Sequence, residues 1–296
     1  MSTLVQEIKQ LKNASIDAFD SCHQPQRLLL CSPDFFRVID EKNPHMKGQQ
    51  GKVDASKAAL QWKTMKESFE SHGYSVECLQ PTKDLEDMVF SANPVFVGED
   101  GSENKICLLA NMKHPSRKKE VTAFDEWFSQ RDYNVHRLPE TLLFEGYGDA
   151  LWHPGKRLIW AGYGFRTDVA VYQHVSDLFQ SPVVTLELQS EYFYHLDTCL
   201  SPISEHVALY FPKAFDAKGN DLIRALYRDA IEVPEREALE GFACNSLGLD
   251  NVVFIHKGNK HSNRELQKRG FDVVELDTGE FLKSGGSVSC MKAMIF

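Results

Sequence analysis

No apolar run in this 296-residue sequence approaches the roughly 20 residues needed to cross a bilayer. The amino-terminal stretch MSTLVQEIKQLKNASIDAF lacks the continuous apolar segment of a secretory signal. There is no Cys-x-x-Cys pair, and the seven cysteines are odd in number and widely scattered. That argues against a disulfide scaffold and against a zinc ribbon. Positive charge is scarce: 33 Lys and Arg against 42 Asp and Glu leave a net charge of −9. Such a balance argues against nucleic acid or an anionic membrane as a main partner, and is compatible with a cationic small molecule. These absences lead to the expectation of a reducing, cytoplasmic setting. What is present is ordinary for a globular chain, 42% hydrophobic and 25% charged, at a length that permits a large core.

A structural unit recurs along the chain. HGYSVECL (72–79), RDYNVHRL (131–138) and RGFDVVEL (269–276) each place an aromatic two residues before a valine and run on as a short strand. Each follows a helical pattern: Ala58, Trp62, Met65 and Phe69 in the first case, Val121, Phe124 and Phe128 in the second, SNRELQKR in the third. Gly73 stands where the residue after a helix end belongs. Interleaved with these, polar residues mark strand-like segments near Asn43, Asn93, Asp149, Asp197, Asn245 and Cys290, a period near 50 residues. That period suggests radially arranged or stacked α/β modules, five of them if the ends are shared. The plain alternative is that Asn and Asp end strands everywhere.

No internal domain boundary is evident. The first 27 residues carry a Leu4/Ile8/Leu11 stripe, readable as a docking helix or a disordered tail, ahead of a catalytic domain over 28–296. MKGQQGKVD (46–54) and KHPSRKKE (113–120) read as surface loops, the first able to cover a site.

Several residues could carry chemistry. Cys290 follows KSGGSVS, where two glycines let backbone approach a ligand closely; a buried structural cysteine is the ordinary reading for any one of the seven. His195 and Asp197 stand two apart in EYFYHLDTCLSP, so in a strand they share a face, and a carboxylate helps a histidine hold its proton. A satisfied core histidine is the plain alternative. FEGYGDALW offers Glu145 and Asp149 beside two glycines, DLEDMVFSAN offers Asp87 and Asn93, and GYGFRTD offers Arg166, a bidentate clamp for a carboxylate. A cysteine–histidine pair, several carboxylates for a planar cation and one arginine for a carboxylate would together suit arginine or a relative.

The segments DMVFSAN, FEGYGDALW, LIWAGYGFRTD, YHLDTCLSP, FACNSL and GGSVSC resemble the guanidine-modifying branch of the pentein superfamily. The likeness runs from LLLCSPDFF (28–36) to residue 296 and is nearest to the arginine dihydrolases. It implies a five-module α/β propeller with the site on the central axis. It implies Cys290 as nucleophile, His195 as general acid/base and Glu145 as the acid beside it. Asp87 and Asp197 would bind the guanidinium and Arg166 the substrate carboxylate. Asp149 would belong to the substrate site or support it from behind, and Asn43 and Asn93 match asparagines tied to the second hydrolysis. The implied reaction is attack of the Cys290 thiolate on the guanidinium carbon, followed by hydrolysis of a thiouronium intermediate, with no metal or organic cofactor. Arginine deiminase, dimethylarginine dimethylaminohydrolase, citrulline ureidase and amidinotransferase remain alternatives, as does a non-catalytic binding protein of the same fold. A homodimer stays open. The sequence departs from the pattern at Pro94 after Asn93, at Tyr147 in FEG-x-GD, in KNPHM and in the SVS before Cys290. These departures bear on the substrate more than on the chemistry.

Overall fold

The computed structural model describes residues 3–11, 15–23 and 25–296. Strand β1 (Leu4–Val5) comes first, then β2 (Arg27–Cys31), helix α1 (Ala55–Ser71) and β3 (Ser75–Leu79). Next are β4 (Val95–Glu99), β5 (Lys105–Leu109), α2 (Pro115–Lys118), α3 (Glu120–Ser129) and β6 (Asn134–His136). They are followed by β7 (Ala150–Trp152), β8 (Ile159–Tyr163), α4 (Val171–Phe179) and β9 (Val183–Glu187). Then β10 (Leu200–Pro202), β11 (Val207–Tyr210), α5 (Ala217–Leu226) and β12 (Asp229–Glu232) form. Last come α6 (Glu235–Leu239), β13 (Leu247–Leu249), β14 (Val252–His256), α7 (Lys260–Lys268), β15 (Asp272–Leu276), α8 (Gly279–Leu282) and β16 (Ala293–Ile295).

Among the described residues these strands make five mixed sheets with one connectivity. An edge strand pairs antiparallel with a central strand, and a helical crossover brings the third strand back parallel. The same plan holds for β10–β12 and β13–β15. The remaining sheet takes its edge strand from far along the chain, for β16 pairs with β2, which pairs in parallel with β3. Edge strands also lie against one another, β16 beside β4 and β10 beside β13.

Sequence explains this layering. The central strands read LLLC, ICLL, IWAG and VALY and are buried throughout, as strands covered on both faces must be. The third strands, such as SVECL and DVVEL, are polar at intervals and partly exposed. Helix α1 starts at Asp54, whose side chain accepts the Lys57 N–H. It ends where Gly73 takes φ +89° and the Tyr74 N–H bonds back to the Phe69 carbonyl. Ala58, Met65 and Phe69 are buried as the stripe predicts, while Trp62 is half-buried and Gln61 turns inward to accept the Glu280 N–H.

The interleaved polar series also has a structural meaning. Asn93, Asp149, Asp197, Asn245 and Cys290 each stand one to three residues before the edge strand of a different sheet. Asn43 is the exception. It caps a short 3-10 turn, Pro44–Met46, in the loop between β2 and α1, so six marks serve five sheets.

Two expectations need correction. In the amino-terminal extension the described residues form no continuous helix: Leu4–Val5 adds a strand to β9, and two 3-10 turns follow at Ile8–Gln10 and Ile16–Ala18. Pairing with an open sheet edge satisfies this short segment better than an isolated helix could. Residues 1, 2, 12–14 and 24 lie outside the described residues, and so does the tail reading for them. The stretch 113–120 is not a plain surface loop, because Arg117 and Glu120 are buried within it. Among the described residues no helix is long and apolar enough to cross a membrane.

Candidate active site

Loops leading into the edge strands converge. Their tight approach explains the motif Glu145–Gly146–Tyr147–Gly148–Asp149. A Cβ on Gly148 would lie 2.4 Å from the Asn93 amide nitrogen and 3.2 Å from the His195 ring. Only glycine lets these three loops meet.

The Cys290 thiol donates to Asp197 Oδ2 at 3.1 Å, and the Asn245 amide donates to the sulfur at 3.1 Å. The Asn245 oxygen accepts the Cys290 and Ser287 N–H groups, so this one side chain fixes the loop that carries the thiol. Burial, reinforced by the Asp197 charge, pushes the Cys290 thiol well up from its usual range. Burial raises Asp197 to about 6, against the opposing effects of the Cys290 hydrogen bond and Lys292. Asp197 Oδ1 is buried with no hydrogen-bond partner among the described residues.

His195 Nε2 meets Glu145 Oε2 at 2.7 Å. Burial lowers His195 to about 4 although the Glu145 hydrogen bond and charge oppose it. Burial works against an ionised Glu145, but the Arg166 guanidinium and His195 outweigh it and hold the carboxyl well below its usual range. The other ring nitrogen, Nδ1, faces the Asn93 amide at 3.4 Å.

A cavity of about 310 Å³ of empty space opens beside the thiol. Cys290, Asp87, Asn93, Arg166 and Asn43 line it, with Lys42, Arg117 and Tyr194. His195 and Glu145 reach it through Asn93 and Arg166. Asp87 Oδ2 lies 3.1 Å from the Lys42 ammonium. Arg166 donates to Glu145 at 3.2 Å and to the Lys42 carbonyl at 2.7 Å, and its guanidinium stacks over the Tyr194 ring. Asn43 spends its amide on the protein, accepting the His45 N–H and donating to the Ser284 carbonyl.

Asp149 departs from the expectation of a substrate contact. Its carboxylate accepts the Leu196 N–H and the Thr167 hydroxyl, and it does not line the cavity. It ties the His195 loop to the strand behind, a supporting position.

Other residues escaped the sequence reading. Arg117 donates to Asn93 Oδ1 at 2.9 Å and pairs with buried Glu120 at 3.0 Å. It orients the amide that faces His195, yet it sits in a lysine-rich stretch that reads as solvated. Lys42, bridging Asp87 and Glu86, carries no local signal either. Asn245 had one, its step in the 50-residue series.

A thiol held by a carboxylate that still lacks one partner, with a histidine–glutamate pair alongside, is suited to attack a positively charged carbon. On this mixed α/β fold such a site defines a class of cysteine-dependent proteins for cationic amidine groups. The chain belongs to the family of eukaryotic N,N dimethylarginine dimethylhydrolases, whose sequence model matches residues 36–296. It is 36% identical over 267 residues to the bifunctional arginine dihydrolase/ornithine cyclodeaminase AgrE of Nostoc, covering 90% of this chain but 37% of that protein. It is 34% identical to the N(G),N(G)-dimethylarginine dimethylaminohydrolase of Mycobacterium tuberculosis, covering 90% of this chain and 84% of the relative. The chain thus spans little more than a third of the bifunctional relative it matches. Among solved structures, the substrate-bound N-terminal domain of the cyanobacterial arginine dihydrolase ArgZ superposes with a TM-score of 0.86 at 34% identity, covering 90% of this chain and 97% of that domain.

Proposed function

We propose that the chain is a hydrolase acting on the guanidinium or ureido carbon of arginine or a close derivative, and that it is an arginine dihydrolase giving ornithine and ammonia. The carrying observation is Asp197, which accepts the Cys290 thiol through one oxygen and leaves the other unpartnered. Asp197 does not itself line the cavity but is bonded to the thiol that does, so a planar cation drawn to Cys290 comes under the carboxylate's charge. The cation lowers the thiol's affinity for its proton, so the substrate helps to ionise Cys290.

The sulfur then bonds to the guanidinium carbon. The proton it sheds passes to His195, which delivers it to the departing nitrogen as the C–N bond breaks. Water gives a proton to His195 and attacks the thiouronium carbon, the C–S bond breaks, and citrulline forms with Cys290 restored. In a second round the Cys290 sulfur attacks the ureido carbon and a second ammonia departs; water then cleaves the C–S bond, and the carbamate so formed loses carbon dioxide to leave ornithine. Asp87 exchanges its Lys42 partner for the guanidinium, Arg166 takes the substrate carboxylate, and Asn93 holds the ureido group for the second round, while Asn43, its amide bonded to His45 and Ser284, shapes the wall beside it. The five sheets are read as the blades of one propeller over 28–296, with the site on its axis. The free cysteines suit a reducing, cytoplasmic setting.

The second reading is a dimethylarginine dimethylaminohydrolase that stops at citrulline, favoured by the family description. Incubation with arginine, citrulline and methylated arginines separates the two. Ornithine from arginine or citrulline supports the dihydrolase, and citrulline with dimethylamine from dimethylarginine alone replaces it. Absence of turnover together with an unreactive Cys290 overturns both in favour of a binding protein.

A further inference from the structure

A second cavity, about 880 Å³ of empty space including its open mouth, shares no lining residue with the first. Edge strands β7, β10, β13 and β16 contribute Trp152, Leu200, Leu249 and Met294 to its walls, and they make it largely apolar. Two cations line it, and they differ: Arg157 donates to the Glu99 and Phe179 carbonyls, whereas Lys292 does not have such partners among the described residues. Lys292, two residues beyond Cys290, is only 4% exposed and lines this cavity. Its backbone N–H bonds to the Ser289 carbonyl, but among the described residues its ammonium makes no hydrogen bond and no ion pair. Its ammonium has only the face of the Tyr147 ring, 5.3 Å away. Among the described residues the other buried lysines and arginines, Lys42, Arg117, Lys156 and Arg166, are each paired with a carboxylate.

A buried ammonium without an anion is costly, and a site keeps one where a ligand supplies the missing charge. Other polar groups of the lining are already engaged: the Ser201 and Ser246 hydroxyls with each other, Arg157 with the Glu99 and Phe179 carbonyls, and His153 with the Glu205 carbonyl and the Trp160 N–H. We propose that this cavity binds a small carboxylate, its anionic end on Lys292 and its apolar body against Trp152, Leu200 and Leu249. The proposal is independent of the reaction at Cys290. Lys292 nevertheless weighs on the ionisation of Asp197, so an occupant would be felt at the thiol.

Hexanoate serves as the probe, followed by calorimetry on the full chain saturated with ornithine, the proposed product, so that Arg166 is occupied without turnover. Inorganic phosphate and hexylamine serve as controls. Hexanoate should bind once per chain, and Lys292→Met should weaken it at least tenfold. Binding that ornithine displaces, that hexylamine matches, that phosphate alone reproduces, or that Lys292→Met leaves unchanged overturns the proposal. Crystals of the unaltered protein soaked in 6-bromohexanoate give a measurement that needs no variant. The bromine should appear between Trp152 and Leu249 with the carboxylate at Lys292. A bromine found elsewhere, or none, sinks the idea.

Discussion

Cys290 faces one cavity and Lys292, two residues on, faces another, and the two regions bury charge in opposite ways. Around Cys290 each ion leans on a neighbour: Lys42 on Asp87, Arg166 on Glu145, Arg117 on Glu120. Around Lys292 a single ammonium stands among apolar walls, and burial pushes it down to about 8 against the pull of Asp197 and Cys290. Against the effect of burial, carboxylate neighbours hold Lys42 and Arg117 above their usual ranges, whereas Lys292 drifts toward neutrality. Asp197 belongs to both regions. It is bonded to the thiol on one side and senses Lys292 on the other.

The comparison breaks most visibly at the thiol. Chloroacetamidine, a cationic amidine, should alkylate Cys290 alone and abolish activity, with excess arginine slowing the reaction. Neutral iodoacetamide should react much more slowly, because it brings no charge to offset Asp197. Peptide mass mapping reads both; labelling spread over several cysteines, or an active protein fully modified at Cys290, would detach the thiol from the chemistry.

Arg166→Lys comes next. A fork engaged with Glu145 becomes a point charge, and KM for arginine should rise about 10- to 100-fold, the worth of a charged hydrogen bond. Unchanged kinetics, or equal activity on agmatine, would remove Arg166 from carboxylate binding.

Stability offers a sharper contrast, with mirror-image pH profiles. Asp197 is raised to about 6 from 3.8, so its ionised form opposes folding above pH 6 and the penalty vanishes below pH 4. Asp197→Asn should therefore stabilise the ligand-free protein by about 2–3 kcal/mol at pH 7 and by little at pH 4, even as activity collapses. Lys292 is lowered from 10.5 to about 8, so its charged form opposes folding below pH 8 and the penalty vanishes above pH 10.5. Lys292→Met should gain about 3 kcal/mol at pH 7 and lose that gain on the alkaline side. Urea unfolding across pH tests both. Because the two charges attract, the double variant should depart from additivity.

The smallest effect is expected at Asn93. Asn93→Ala leaves Cys290 and Asp197 intact but removes the amide between Arg117 and His195. The ornithine-to-citrulline ratio should fall several-fold while loss of arginine continues. An unchanged ratio would separate Asn93 from the second hydrolysis.

The loops before the edge strands were legible because each carries a polar residue at a regular step, and those before β7 and β16 also carry glycines that close packing demands. The third strands were legible because aromatic–x–valine follows a helix stop. What stayed hidden depends on partners remote in sequence. Arg117 looks like one more cation in KHPSRKKE until Glu120 and Asn93 enclose it. Lys42 acquires a role only when Asp87 arrives from a separate loop. Asp149 and Asn43 were found by their motifs, but no motif says whether a side chain reaches a ligand or is consumed by its own backbone neighbours. The second cavity lies between four edge strands, and no single segment announces it.

The pairing of β16 with β2 also sets a timetable. Leu29 waits for Ala293, more than 260 residues later, before its sheet has an antiparallel edge. Contacts so distant in sequence form slowly, and until then the apolar ladder of β2 stands open on one side to any other strand. Cys290 rides on the segment that ends this wait. In refolding, recovery of Cys290 reactivity should lag behind recovery of helical signal, and the interval between them is when the chain is most exposed to aggregation.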